Sequence, residues 1–221
     1  MERIILSYPR SGSNFLNDCL NKMTGRGFSK THAHYHRFWQ ENTQGKDDKV
    51  VVLMLRNYKE CIPRHTGERT PEGIVKHATG LKATELPNPK SDKNGKRTRS
   101  DYMALIRWYD SYQGKKTVVY YEDFVNRTAE ELKRLAEFLG DVTPDMVNEF
   151  ISSLDKQRKA SANKYNKSFG KTQSLDASGN PVSTKFHSNV IPKQHRISTD
   201  NNIKQKFPTL YEKYLKRYEE A

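Results

Sequence analysis

The 221-residue sequence predicts an α/β fold in three layers, helices on either side of a central parallel sheet. Three observations carry that expectation. Lys49–Leu55 (KVVVLML) is continuously apolar, which marks a central strand covered on both faces, as strands of parallel sheets are. Arg3–Tyr8 (RIILSY) and Thr117–Tyr121 (TVVYY) are shorter runs of the same kind. Helical patterns follow the strands, and strand–helix alternation is the signature of layered α/β architecture. The length suits a single domain over residues 1–221 and is short for two.

Taken in order, Arg3–Tyr8 opens the protein as a buried strand. Pro9-Arg10-Ser11-Gly12-Ser13 is turn chemistry, after which Phe15, Leu16, Cys19, Leu20 and Met23 recur at helical spacing. Gly25-Arg26-Gly27 ends that helix. A polar stretch holding Lys30-Thr31-His32-Ala33-His34-Tyr35-His36 leads to the strand at 49–55, with Arg56-Asn57 at its carboxyl end. Residues 63–100 are punctuated by Pro63, Pro71, Pro87 and Pro89 and close on a basic run. They read as a long insertion or lid with one short helix. Tyr102–Tyr112 forms an amphipathic helix, and Thr117–Tyr121 the third strand. Thr128-Ala129-Glu130-Glu131 is a capping box that opens a helix ending at Gly140. Thr143-Pro144 opens another, with proline in its first turn. Residues 155–190, rich in Lys, Asn, Ser and Gly, are expected to be mobile, and Pro208–Tyr218 is a terminal helix.

The formal net charge of +13 calls for an anionic partner or ligand. Nucleic acid, acidic glycan, anionic lipid and a multiply phosphorylated nucleotide all meet that demand. No run approaches the roughly 20 apolar residues of a membrane helix. Ile4-Ile5-Leu6 is too short for the apolar region of a secretory signal, so a soluble, cytoplasmic protein is expected. Cys19 and Cys61 form no CxxC pair, which suits a reducing compartment. Asn126-Arg127-Thr128 matches a glycosylation acceptor and is read as chance.

The first loop carries the strongest chemical signal. A buried strand that runs through Pro9-Arg10-Ser11-Gly12-Ser13-Asn14 into a helix is anion-binding architecture. Small residues let backbone N–H groups approach a phosphate, the helix start adds partial positive charge, and Arg10 adds a full one. A Walker A loop is absent. Gly170-Lys171-Thr172 has Tyr165 at the first glycine position and no strand before it.

At these residues the sequence resembles the 3′-phosphoadenylylsulfate (PAPS)-dependent sulfotransferases. Tyr8-Pro9-Arg10-Ser11-Gly12-Ser13-Asn14-Phe15 resembles the family's 5′-phosphosulfate loop, YPKSGTTW. Lys30-Thr31-His32 resembles the KTH segment with the catalytic histidine. Leu53–Glu60 (LMLRNYKE) resembles the 3′-phosphate motif, VxRNPKD. Val119–Phe124 (VYYEDF) and Phe138-Leu139-Gly140 resemble the YEDL…FLG block, and all these blocks stand in the family's order over residues 1–140. The resemblance implies the P-loop NTPase-like sulfotransferase fold and transfer of a sulfuryl group from PAPS, with PAP as product. It implies that Arg10, Ser11, Gly12, Ser13 and Asn14 line the phosphosulfate site, that Phe15 stands where a tryptophan of the family stacks on the adenine, that Arg56 holds the 3′-phosphate and that Tyr121 neighbours the adenine. Arg64 stands where the family has a second, serine ligand of that phosphate, and Pro63 beside it is expected to break or shorten the helix. The family's carboxyl-terminal RKGxxGDWK is not recognisable; Lys193 and Arg196, with Lys185, are the candidates to replace it.

The chemistry follows the same residues. Sulfuryl transfer to a hydroxyl goes through a loose, in-line transition state, by analogy with phosphoryl transfer. A histidine near neutrality suits removal of the acceptor proton, and two cations suit the growing charge. His32, with Lys30 and Arg10, supplies that set. The expected partner is a small-molecule or glycan acceptor bearing a hydroxyl or amine. No metal is expected: His32, His34 and His36 alternate, but no cysteine or carboxylate lies nearby to complete a zinc site. The rival readings are a nucleotide kinase, which lacks its GK[ST] loop and Mg²⁺ carboxylates, and a basic nucleic-acid-binding protein, which lacks a recognisable motif.

Overall fold

The computed structural model describes residues 2–32, 49–80, 101–156, 159, 174–175, 181–182 and 191–219. Its core is a four-stranded, wholly parallel sheet in the order β2-β1-β3-β4, formed by β1 (Arg3–Ser7), β2 (Phe28–Thr31), β3 (Val50–Leu55) and β4 (Lys116–Tyr120). Alternate residues of the inner strands feed two separate cores. Ile4, Leu6, Val51, Leu53 and Leu55 face one side, while Ile5, Val50, Val52 and Met54 face the other. This is the two-sided burial that the unbroken apolar run of β3 predicts. At about 1.5–3 kcal/mol for each fully buried aliphatic side chain, it anchors the fold.

One face is covered by α1 (Ser13–Thr24), α5 (Tyr121–Asn126), α6 (Thr128–Leu139) and α7 (Pro144–Ser152). The other is covered by α2 (Tyr58–Thr66), α3 (Pro71–Thr79), α4 (Tyr102–Ser111) and α8 (Lys193–Lys206). After α8 a short turn of helix, Pro208–Leu210, runs into a π-helical turn, Tyr211–Leu215, and a 3-10 turn, Lys216–Tyr218. The three-layer α/β/α architecture is therefore the one expected.

Several local expectations are corrected. β2 lies in the stretch read as merely polar: it is an edge strand with only Phe28 buried, so it shows no apolar run. In the insertion read over 63–100, residues 63–66 belong to the end of α2, and the one short helix expected there is α3, whose Ile74, Val75 and Ala78 are core; residues 81–100 lie outside the described residues. Pro63 does not break α2. Tyr58, Cys61, Ile62 and Pro63 are buried together, and the helix continues to Thr66 before Gly67 turns left-handed. Packing outweighs the one lost helical bond. The capping box at Thr128 does not form. The Thr128 hydroxyl donates back to the Phe124 carbonyl at 2.6 Å, and Glu131 pairs with Arg134. The segment 155–190, expected to be mobile, is mostly outside the described residues, but Ser174–Leu175 (β5) and Pro181–Val182 (β6) pair as a small antiparallel sheet. No helix among the described residues is long and apolar enough to cross a membrane.

Candidate functional site

Parallel pairing places the ends of all four main strands on one edge. Leu6 pairs with Thr31 and Leu53, and Leu55 with Tyr120, so the residues that leave this edge are Tyr8, His32, Arg56 and Tyr121. The chain runs from β1 outward to β2, then returns to β3 on the other side of β1. Ligands of open α/β sheets bind at such a reversal, outside the carboxyl ends of the strands.

The loop after β1 is tightly wound. Arg10 has φ 68°, the one non-glycine residue with positive φ among the described residues, and Gly12 has φ 80°. Left-handed residues of this kind build anion-binding nests, and the strain at Arg10 is about 1–2 kcal/mol. Gly12 caps α1 without a side-chain hydrogen bond and no acidic residue stands in the first turn, so the helix start presents its N–H groups and positive pole. Ser11 Oγ is buried and has no partner save the Cys61 thiol beside it. Burial pushes that thiol up to about 12, against the pull of Arg56, so Cys61 is no nucleophile near neutrality. Phe15 turns its ring onto Phe124, 5.5 Å between centroids.

Arg56 reaches across the reversal. Its Nη1 donates to the Arg10 carbonyl at 3.1 Å, and its guanidinium lies 4.1 Å over the Tyr121 ring. The Tyr102 hydroxyl donates to the Arg56 carbonyl at 2.7 Å. Arg64 is held on α2 because the helix survives Pro63. It pairs with Glu60 at 3.3 Å, and burial, then the nearby charge of Arg56, lower its pKa. Glu60 also binds Arg196 of α8 at 2.5 Å. Arg64 and Arg196 thus share one carboxylate, and Arg56 lies near enough to Arg64 for its charge to be felt there. Lys193 is exposed at the first residue of α8, a turn before Arg196; Lys185 lies outside the described residues.

On the other side of the loop, Lys30 lies in β2 and donates to Asn14 Oδ1 in the first turn of α1. Burial lowers its pKa, partly offset by Asp18. His32 follows β2. Its Nδ1 lies 2.7 Å from the Ser7 carbonyl and 3.2 Å from the Ser7 hydroxyl. A carbonyl only accepts, so Nδ1 carries the proton, and Nε2 is the basic nitrogen. His34 and His36 lie outside the described residues. Among the described residues, no group of three or more His, Cys, Asp or Glu could hold a metal ion.

The site therefore includes side chains that the sequence motifs did not single out. Ser7 touches His32, Tyr102 touches Arg56, and Glu60 pairs with Arg64 and Arg196, while Glu122 holds Asn57 next to Arg56. Glu60 and Glu122 stand inside the blocks LMLRNYKE and VYYEDF; Ser7 and Tyr102 carried no such signal.

No protein-family model matches the chain, and no curated protein sequence does. Among solved structures the chain is similar to mouse sulfotransferase SULT7A1 complexed with PAP, at a TM-score of 0.49 and 15% sequence identity, over 98% of this chain and 87% of that one.

Proposed function

We propose that this protein is a PAPS-dependent sulfotransferase in which His32 is the general base. The observation that carries the reading is the convergence of an anion-binding loop, a tautomer-fixed histidine and a cluster of arginines on one edge of the sheet. The mixed anhydride of PAPS supplies an activated sulfuryl group. Arg10 and the N–H groups at the start of α1 bind and orient the phosphosulfate. The buried Ser11 hydroxyl, with the Cys61 thiol beside it, leaves acceptor capacity for a ligand held by this loop. Arg56, with Arg64 and Arg196, supplies the positive charge that a 3′-phosphate needs, and Tyr121 offers its ring beside them. His32 Nε2 takes the proton of the acceptor hydroxyl while Nδ1 stays anchored on Ser7. Lys30 and Arg10 oppose the negative charge that grows on the departing side.

The test is a thermal-shift panel with PAP, ATP and an oligonucleotide. A ligand of the native state alone raises the midpoint in proportion to its affinity. PAP is expected to give a large shift, and ATP, which lacks the 3′-phosphate, a smaller one. Equal shifts with PAP and ATP, or a shift with the oligonucleotide alone, would remove the assignment. A mass-spectrometric screen of hydroxyl and amine acceptors with PAPS then identifies the acceptor class.

A further inference from the structure

Arg217 and Tyr218, in the turns after α8, pack onto the start of α5. Arg217 reaches both oxygens of Asp123, at 2.7 and 2.9 Å, and lies 4.1 Å over the Tyr120 ring. The buried Tyr218 donates its hydroxyl to Glu122 Oε2 at 2.9 Å. The other oxygen of the same carboxylate accepts the backbone N–H of Asn57 at 3.1 Å. Asn57 directly follows Arg56 and caps α2 with its own side chain. Burial first, then Glu122, push the Tyr218 hydroxyl far above its ordinary pKa, so it remains a donor throughout the neutral range.

None of these bonds points at the ligand site. The Glu122 bond acts on the backbone that carries Arg56: Tyr102 holds the carbonyl and Glu122 the N–H of the same Arg56–Asn57 peptide. The same helix start supplies Tyr121, whose ring lies beneath the Arg56 guanidinium.

We propose that Glu122 and Tyr218 are positioning residues that aim Arg56 at the 3′-phosphate. The inference rests on the reading of Arg56 given above. If the two bonds served only to hold these turns down, their loss would weaken every nucleotide alike. If they aim Arg56, the loss falls on ligands that carry the 3′-phosphate.

Titration calorimetry with PAP and with adenosine 5′-monophosphate separates these cases, on wild type, Tyr218→Phe, Glu122→Ala and Glu122→Gln. Tyr218→Phe and Glu122→Ala are expected to weaken PAP by about 3–10-fold, the size of one net hydrogen bond, and the monophosphate by less than about twofold. Glu122→Gln keeps an acceptor for Asn57 and offers Tyr218 a donor, so it should restore PAP binding to within about twofold of wild type. Equal losses on both ligands, or none on PAP, overturn the proposal. If Glu122→Ala does not fold, Tyr218→Phe decides alone, since it removes a single oxygen. A wild type that binds the two nucleotides equally overturns the reading of Arg56 instead, and the proposal with it.

Discussion

A side-chain carbon on Gly12 would lie 2.6 Å from the ring of Tyr121. The loop after β1 and the helix after β4 are therefore in closest contact at a glycine whose φ of 80° already disfavours any other residue. Gly12→Ala is expected to destabilise the fold by about 1–3 kcal/mol, from backbone strain and overpacking together. The displaced ring would leave Arg56 without its platform, so the thermal shift with PAP should shrink as well. Urea unfolding measures the first effect. Wild-type stability would mean that the two elements are further apart in solution.

Arg56→Ala should weaken PAP by about 2–4 kcal/mol, the scale of a truncated charge pair, and a nucleotide without the 3′-phosphate far less. Arg56→Lys should recover little, because an ammonium group lacks the planar fork that lies over Tyr121 and reaches the Arg10 carbonyl. Arg64→Ala examines the neighbouring arginine. If Arg64 is a phosphate ligand, PAP affinity falls; unchanged affinity would leave it as the partner of Glu60 only.

His32→Ala is expected to cut turnover by about 10²–10⁴-fold, the usual share of a positioned base, with PAP affinity nearly constant. Lys30→Ala should slow the reaction by loss of charge stabilisation. A phenol already ionised needs no base, so it should rescue His32→Ala in part and Lys30→Ala hardly at all. His34→Ala and His36→Ala serve as controls. Loss of turnover in either, with His32→Ala near wild type, would reject the assignment of the base. If all three variants lost activity and zinc restored it, a metal site would replace the base.

Lys59 and Asp200 form a buried ion pair at 2.5 Å, and the Tyr58 hydroxyl also donates to Asp200. Lys59 further donates to the Tyr218 carbonyl. Asp200→Ala leaves an uncompensated buried cation and should cost about 3–5 kcal/mol in urea unfolding. Replacing both partners, as Lys59→Met with Asp200→Leu, should recover much of that loss. A single variant as stable as wild type would show that α8 does not depend on the pair.

The order of the layers was legible in the sequence because burial on both faces leaves a local trace. The runs at Ile4-Ile5-Leu6 and Val50–Leu55 can be strands only where helices cover them twice, and Gly25 and Gly140 end their helices as read. The loop at Arg10–Asn14 was legible for a similar reason, since turn residues between a strand and a helix need no distant partner to be recognised. Edge strand β2 and helix α8 left no such trace. β2 buries only Phe28, and α8 buries Thr199, Asp200 and Ile203, two of them polar.

What only the tertiary structure decided is where polar residues find their partners. Asp200 is tolerated inside because Lys59 stands 141 residues earlier in the chain, and α2 runs through Pro63 because five of its residues are buried together. The same holds for the candidate site. The sequence by itself names His32, Arg56 and Tyr121 and sets each after an apolar or basic segment. The parallel register is what puts Ser7 beside His32 and Arg10 beside Arg56, and the packing of the turns after α8 brings Tyr218 to the Glu122 that holds Asn57. Hydrophobic burial depends on a residue's own character and can be read one segment at a time. A hydrogen bond or ion pair depends on a second group, and the fold alone brings that group within reach.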